Sequence, residues 1–203
     1  MRKALGVLCM LIGAAMLAAS GWMLWENRLE EAAAGQNADQ ALVALLDAAP
    51  TPGAPDPEAS PAPTESAEGP EMPTMLINGQ AYIGYLELPT IGLTLPVMSD
   101  WSYPQLRIAP CRYWGSVYDD SMVILAHNYE RHFGRISALQ TGDPVQFIDA
   151  DGNIWRYVVA AQETLERGDV EKMIDPAWDL TLFTCTYGGV SRVTVRLNRV
   201  LAY

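Results

Sequence analysis

The chain has 203 residues, half of them hydrophobic, and a formal net charge of −11. This length allows one domain of ordinary size plus additional segments. No basic patch of the kind that follows phosphate backbones is present, so nucleic acid is not expected as a partner. The three cysteines form no CxxC pair and show no zinc-site spacing with the two histidines, so neither a metal nor another cofactor is expected.

Residues 1–25 have the pattern of a cytoplasmic tip and a single transmembrane anchor. Arg2 and Lys3 precede an uncharged run of 22 residues, Ala4–Trp25. A helix of this length spans roughly 33 Å, enough for a hydrocarbon core of about 30 Å. Because basic residues favour the cytoplasmic side, the rest of the chain is expected outside the cell. A signal peptide cleaved among the small residues at 14–20 is the alternative.

Residues 26–73 are predicted to form a juxtamembrane helix and a linker. The segment at about 37–49 begins with a pattern similar to a capping box, and its leucines share one helical stripe before Pro50. Thr51–Pro73 is rich in Pro, Ala, Glu, Ser and Thr and has no aromatic residue. Such a segment cannot bury enough apolar surface to fold, so we expect a disordered spacer that holds a domain away from the membrane.

Residues 74–203 change to short strand-like runs separated by turns. The predicted strands are Ala81–Leu88, Ile91–Met98, Ser121–Ala126, Val145–Ile148, Asn153–Val159, Leu180–Thr186 and Arg192–Leu201. Asp151 and Gly152 mark a hairpin turn, and His132–Leu139 is predicted as a short helix. Seven or eight short strands in about 130 residues predict a mainly β domain built as a closed or nearly closed barrel.

Cys185 is the candidate nucleophile, because it ends the apolar strand Leu180–Cys185 directly before a turn that contains two glycines. A strand end is an exposed position on a rigid support. The thiolate is the reactive form of cysteine, so it requires a basic or cationic neighbour. His127 also ends a predicted strand, and Arg192 begins the strand that follows Cys185 and would fold back beside the thiol.

Spacing alone leaves other interpretations open. A cysteine in an apolar strand is commonly a small core residue, and Cys111 and Cys185 could form a disulfide outside the cell. Arg196 shares a strand face with Arg192, because side chains repeat with a period of two. Arg192 is preferred because it lies nearer the turn and hence nearer the thiol.

Three segments of the C-terminal domain resemble the sortase family. Residues 81–97 resemble the opening strands of a sortase domain, and Ser121–Asn128 resembles the strand that leads to the sortase histidine. Thr181–Tyr187, with Arg192–Val195 after it, resembles the signature TLxTC and its downstream arginine. The resemblance covers residues 78–201, keeps the family's order of histidine, cysteine and arginine, and fits the family's layout of anchor, spacer and catalytic domain.

The resemblance implies an eight-stranded β-barrel with short helices and a transpeptidase at the surface of a Gram-positive bacterium. A sortase cleaves an LPxTG-like signal near the C-terminus of a secreted protein and joins the new carboxyl end to an amine, often on a cell-wall precursor. Cys185 would attack the threonine carbonyl and hold the acyl group as a thioester. His127 would exchange protons with the leaving and attacking amines, and Arg192 would offer a cation to the substrate. Thr184 would support the substrate or Arg192.

The resemblance does not assign a class within the family. The short connection between the cysteine and the arginine is similar to class B, and the compact region after His127 is similar to classes A and D. Glu163–Leu180 is the expected specificity loop. A surface cysteine protease that uses water as acceptor, and a membrane-anchored barrel that binds a partner without catalysis, are the alternative functions.

Overall fold

The computed structural model describes residues 2–48 and 71–200, with side chains from Met10 onward. The helices are α1 (Arg2–Ala48), α2 (Tyr103–Leu106) and α3 (Val170–Met173), and 3-10 turns lie at Pro89–Ile91 and Ile136–Ala138. The strands are β1 (Met75–Ile77), β2 (Gln80–Leu88), β3 (Leu93–Met98), β4 (Cys111–Trp114), β5 (Met122–Leu125), β6 (Pro144–Asp149), β7 (Ile154–Glu166), β8 (Leu180–Cys185) and β9 (Ser191–Arg199).

Strands β2 to β9 form a closed eight-stranded barrel, which confirms the predicted architecture. The order around the barrel is β2-β3-β4-β5-β8-β9-β7-β6, and β6 pairs back with β2 to close the ring. Strand β1 pairs with the first residues of β2 and lies outside this ring. Two pairings are parallel, β3 with β4 and β5 with β8, and the others are antiparallel. The β5–β8 pair therefore brings two strand ends to the same edge of the barrel.

Alternate residues of the strands face two separate apolar clusters. Ile124 of β5 and Leu182 of β8 belong to the cluster inside the barrel. Leu125 and Phe183, one residue further along each strand, belong to a second cluster on the outer face. Residues from α1, α2 and α3 join this outer cluster, which explains why β8 is buried on both faces.

The predicted helix boundaries near the N-terminus differ from the observed ones. Helix α1 is continuous over Arg2–Ala48, whereas the sequence predicts an anchor at 1–25 and a separate helix at about 37–49. Residues 26–36 contain no proline and include three consecutive alanines, so strong helix formers carry the helix through Gly35.

No helix in the described part of the chain is long and apolar enough to cross a membrane. The transmembrane helix predicted at 4–25 is not found there, and the side chains of residues 4–9 lie outside the described residues. The side chains that follow include large exposed apolar groups, among them Leu17 and Trp22. Most of the predicted linker, residues 51–70, also lies outside the described residues.

Four further elements differ from the sequence prediction. The helix predicted at His132–Leu139 is a series of turns followed by the short 3-10 turn. Strand β7 continues to Glu166, seven residues beyond its predicted end, because it pairs with β9 along nearly its whole length. Strands β1 and β4 were not predicted, since three- and four-residue strands leave too little alternation to recognise.

The closure of the barrel depends on Gly84 of β2, which has a φ of +142°. A Cβ at this position would lie 2.0 Å from the Ile148 carbonyl oxygen of β6. We expect Gly84→Ala to separate these strands and to lower the free energy of unfolding by about 3 kcal/mol or more. Gly79→Ala is the control, because Gly79 also has a positive φ but nothing within 4 Å, so it should cost about 1–2 kcal/mol. Equal urea midpoints for the two variants would contradict this view of the closure.

Candidate active site

Cys185 lies at the end of β8, between the neighbouring strands β5 and β9. The parallel pairing of β5 with β8 aligns Leu125 with Phe183. His127 and Cys185 each follow one member of this pair by two residues, so they leave adjacent strands at the same edge and on the outer face of the barrel. The antiparallel pairing of β8 with β9 places Arg192 directly opposite Cys185. The three predicted site residues therefore lie on one face at one edge.

Thr184 joins the two strands that carry the cysteine and the histidine. Its hydroxyl donates a hydrogen bond of 2.8 Å to the Ala126 carbonyl, and the Ala126 N–H donates to the Phe183 carbonyl at 3.2 Å. The Thr184 side chain is buried inside the barrel, on the opposite face from the thiol. Its observed contact is thus to the residue before His127, a role that the sequence analysis did not identify.

Arg192 is half-buried beside the thiol and is held by the connection between β8 and β9. Its Nη1 donates to the carbonyls of Gly189 (3.2 Å) and Ser191 (3.0 Å). The Thr186 hydroxyl lies 3.1 Å from the Ser191 hydroxyl and closes the base of the same connection. This turn keeps a permanent cation next to Cys185.

Arg196 occupies a different environment, although it shares the strand face of Arg192. It is 1% exposed, and its guanidinium donates to Glu163 Oε1 (2.7 Å) and to the Thr181 hydroxyl (2.9 Å). It also donates to the carbonyls of Lys172 and Met173. Glu163 and Thr181 lie on the neighbouring strands β7 and β8, and Lys172 and Met173 belong to α3, so Arg196 attaches α3 to the barrel. The Arg196 guanidinium therefore stabilises the fold and is not available to a substrate. Arg192 remains as the arginine near the thiol.

His127 is half-buried at the end of β5, and its ring stacks on Tyr129 with centroids 4.7 Å apart. Burial lowers the pKa of His127 below its ordinary value. The nearby Arg107 guanidinium lowers this pKa further, and the Glu30 carboxylate of α1 partly opposes the shift. The imidazole is consequently neutral at neutral pH, so its free nitrogen can accept a proton from a neighbouring thiol.

His132, the second histidine, is completely buried. Neither ring nitrogen has a hydrogen-bond partner among the described residues. Burial lowers the pKa of His132 to about 4; His127 and Arg131 act in the same direction, and the Ala34 backbone opposes them. A neutral, enclosed imidazole cannot exchange protons with a substrate, which supports the sequence-based choice of His127.

The two described cysteines are both free, so the disulfide considered from the sequence is not formed. Cys111 is completely buried in β4 and donates a hydrogen bond to the Ala109 carbonyl at 3.4 Å. Burial raises the pKa of the Cys111 thiol to about 12. Cys185, by contrast, is partly exposed, so only this thiol is open to a reagent or substrate.

Two cavities meet at Cys185. One of about 200 Å³ is lined by aromatic residues, including Trp101 and Tyr113, and by residues of the predicted specificity loop, including Val170. A second of about 180 Å³ lies on the side of Tyr187 and the residues that follow His127. Within the described part of the chain, no cluster of acidic, histidine and cysteine side chains could hold a metal ion. The arrangement offers a thiol that can be reached from two directions.

The difference between the two thiols predicts a selective labelling experiment. In the folded chain carrying Cys9→Ser, iodoacetamide should modify Cys185 and leave Cys111 unmodified, as measured by mass spectrometry of proteolytic fragments. Urea should make Cys111 reactive. In the folded chain, Cys185→Ala should abolish labelling and should change the free energy of unfolding by no more than about 1 kcal/mol. Modification of Cys111 in the folded chain, or protection of Cys185, would contradict the assignment.

Comparisons with solved structures agree with this geometry. Sortase C1 from Streptococcus agalactiae is 26% identical with a TM-score of 0.55, over 63% of this chain and 72% of that chain. Sortase A from Corynebacterium diphtheriae is 23% identical with a TM-score of 0.54, over 61% and 63% of the two chains. Clostridium perfringens sortase C, solved with the C-terminal cell wall sorting motif, is 24% identical with a TM-score of 0.53, over 60% and 71%. Both A and C members match, so these structures assign no class.

The family comparison covers most of the barrel and all of the candidate site. No curated protein sequence matches the chain. A model of the sortase domain matches residues 86–200, which is more than half of the chain and includes His127, Cys185 and Arg192. The chain therefore belongs to the sortase family.

Proposed function

We propose that this sortase cleaves an LPxTG-like signal near the C-terminus of secreted proteins and transfers the acyl group to an amine. The observation that carries the proposal is the meeting of Cys185, His127 and Arg192 at the edge formed by β5, β8 and β9. Clostridium perfringens sortase C, a similarly folded enzyme solved with the C-terminal cell wall sorting motif, supports the same substrate class. A cell-wall precursor with a free amine is the proposed acceptor.

The proposed reaction begins with transfer of the Cys185 proton to His127. The thiolate attacks the carbonyl carbon of the threonine residue in the signal, and the negative charge on oxygen is stabilised by the Arg192 guanidinium. Protonated His127 gives its proton to the leaving amine as the peptide bond breaks, which leaves a thioester on Cys185. The acceptor amine then attacks this thioester and gives a proton to His127. The C–S bond breaks as the new amide forms, and His127 returns the proton to the Cys185 sulfur, which restores the thiol.

The two cavities suit the two substrates of such a transfer. The cavity beside Trp101 and the specificity loop offers apolar and aromatic surface on the Arg192 side of the thiol, so we assign it to the sorting signal. The cavity beside Asn128 and Tyr187 approaches Cys185 from the histidine side, so we assign it to the acceptor amine. With the peptide in one cavity, the amine can reach the thioester without displacing it.

We further propose that residues 4–25 anchor the enzyme in the membrane with the N-terminus in the cytoplasm and the barrel outside. The uncharged run in the sequence and the two basic residues before it support this orientation. The exposed apolar side chains of the described part of this segment, such as Leu17 and Trp25, would be covered by lipid.

The full-length enzyme should convert a cognate sorting peptide and an amine into a new peptide–amine product. The motif is chosen by screening pentapeptides, and products are identified by mass spectrometry. His127→Ala should lower kcat by about 10²- to 10⁴-fold, as loss of a general acid–base does. A hydrolysed peptide as the sole product at saturating amine would favour the protease alternative, and no reaction with any peptide would favour the binding protein.

The two arginines give a second, independent prediction. Arg192→Lys should lower turnover of the same peptide by at least about 10²-fold, because lysine cannot present a planar pair of donors. Arg196→Lys should keep most of the turnover per folded molecule, yet lower the free energy of unfolding by about 1–3 kcal/mol through lost buried hydrogen bonds. Turnover is measured beside a urea curve for each variant. The reverse pattern would show that the two roles have been exchanged.

A further inference from the structure

We propose that helix α1 is a positioning element of the active site, whose C-terminal half holds the loop 127–135 so that His127 faces Cys185. The inference rests on the proposed function, because it concerns the histidine of that reaction.

The docked face of α1 is a stripe of small residues. Ala34, Ala38, Ala41 and Leu45 are each at most 4% exposed. Their spacing of four, three and four residues places them on one side of the helix. Val43, on the opposite side, is 58% exposed. The short side chains allow the helix backbone to lie close to the barrel.

The polar contacts of this face converge on two consecutive residues of the loop. Glu31 Oε1 accepts a hydrogen bond from the Glu130 N–H at 2.6 Å, and Asp39 pairs with the Arg131 guanidinium. Gly35 lies against the same arginine, since a Cβ there would be 2.6 Å from Arg131 Cδ. The helix thus fixes both the backbone and a side chain of the loop.

Hydrogen bonds and aromatic contacts within the loop connect residues 130–132 to His127. The Phe133 N–H donates to the His127 carbonyl at 3.1 Å, and the N–H groups of His132 and Gly134 donate to the Tyr129 carbonyl at 2.9 Å each. The Tyr129 ring stacks on His127 and also contacts the His132 ring, with a centroid distance of 5.6 Å to the latter. A displacement of residues 130–132 would therefore move the Tyr129 ring on which His127 rests.

The buried His132 makes this loop dependent on the helix. Its imidazole is completely enclosed next to the Ala34 backbone, and neither ring nitrogen makes a hydrogen bond of normal geometry among the described residues. An unpaired polar ring in such a place gains free energy when it reaches water. Without α1, exposing His132 to water would lower the free energy of the loop. The ring contacts of Tyr129 with His132 and His127 would then be lost.

The docked helix also sets the electrostatic environment of His127. The charged groups that face it are Arg107, which directly follows α2, and Glu30 of α1, whose charged atoms lie 4.0 Å apart. Undocking would hydrate the imidazole and remove the Glu30 carboxylate. Because burial is the largest cause of the lowered pKa and Glu30 is the smallest contribution, the pKa of His127 should rise. The acid limb of the pH profile, where His127 gains its proton, should then move to higher pH.

The test compares two substitutions on opposite faces of α1 in the full-length enzyme. Ala38→Asp should undock the helix, lower kcat at least tenfold with an unchanged KM for the peptide, and move the acid limb of kcat/KM to higher pH. Val43→Asp, which adds the same charge on the exposed face, should stay within twofold of the unsubstituted enzyme. Equal kinetics for the two variants would overturn the inference, whereas an unsubstituted enzyme that forms no product would overturn the proposed function first.

A charge exchange provides the second test and remains informative if Ala38→Asp does not fold. Arg131→Asp should lower kcat by repelling Asp39, and the double variant Asp39→Arg with Arg131→Asp should restore it. Both positions are about half exposed, so folding should be preserved. A single variant with normal kcat, or a double variant that remains impaired, would show that this contact does not position the histidine.

Discussion

The pairing of β8 with β5 on one side and β9 on the other is the constraint on which the site depends. A parallel neighbour sends His127 to the same edge as Cys185, and an antiparallel neighbour places Arg192 opposite the thiol. A slip of one residue in either pairing would turn one of these side chains into the barrel. Thr184 directly precedes Cys185, and Ala126 directly precedes His127. The hydrogen bond from the Thr184 hydroxyl to the Ala126 carbonyl therefore fixes the register of β5 and β8 next to the site.

Burial then selects one member of each pair of similar residues. Cys111 and His132 are enclosed, and the environment of each favours its uncharged form. Arg196 is also enclosed, but its charge is matched by Glu163 and by three further hydrogen-bond acceptors. The remaining cysteine, histidine and arginine are half-buried, which leaves them open to a substrate while the barrel restricts their movement.

The barrel and the position of the candidate site residues at one edge could be predicted from the sequence, because both depend on local patterns. Short apolar runs mark the strands, and the TLxTC segment with its arginine identifies the edge at Cys185. The docking of α1 could not be predicted, since its buried stripe consists mainly of alanine, which differs little from the alanines that face solvent. The burial of Arg196 was also missed, because it requires the loop around α3 to fold over β9. These features depend on contacts between distant segments, which periodicity does not report.

The central claim, a thioester at the end of β8, is tested most directly by the intact mass of the full-length enzyme. The enzyme is mixed with a cognate sorting peptide without an added amine and quenched in acid. The account predicts a mass increase equal to the acyl part of the peptide, located on Cys185 by fragmentation and removed by hydroxylamine. An adduct on another residue, an adduct that resists hydroxylamine, or peptide cleavage without any covalent species would contradict it.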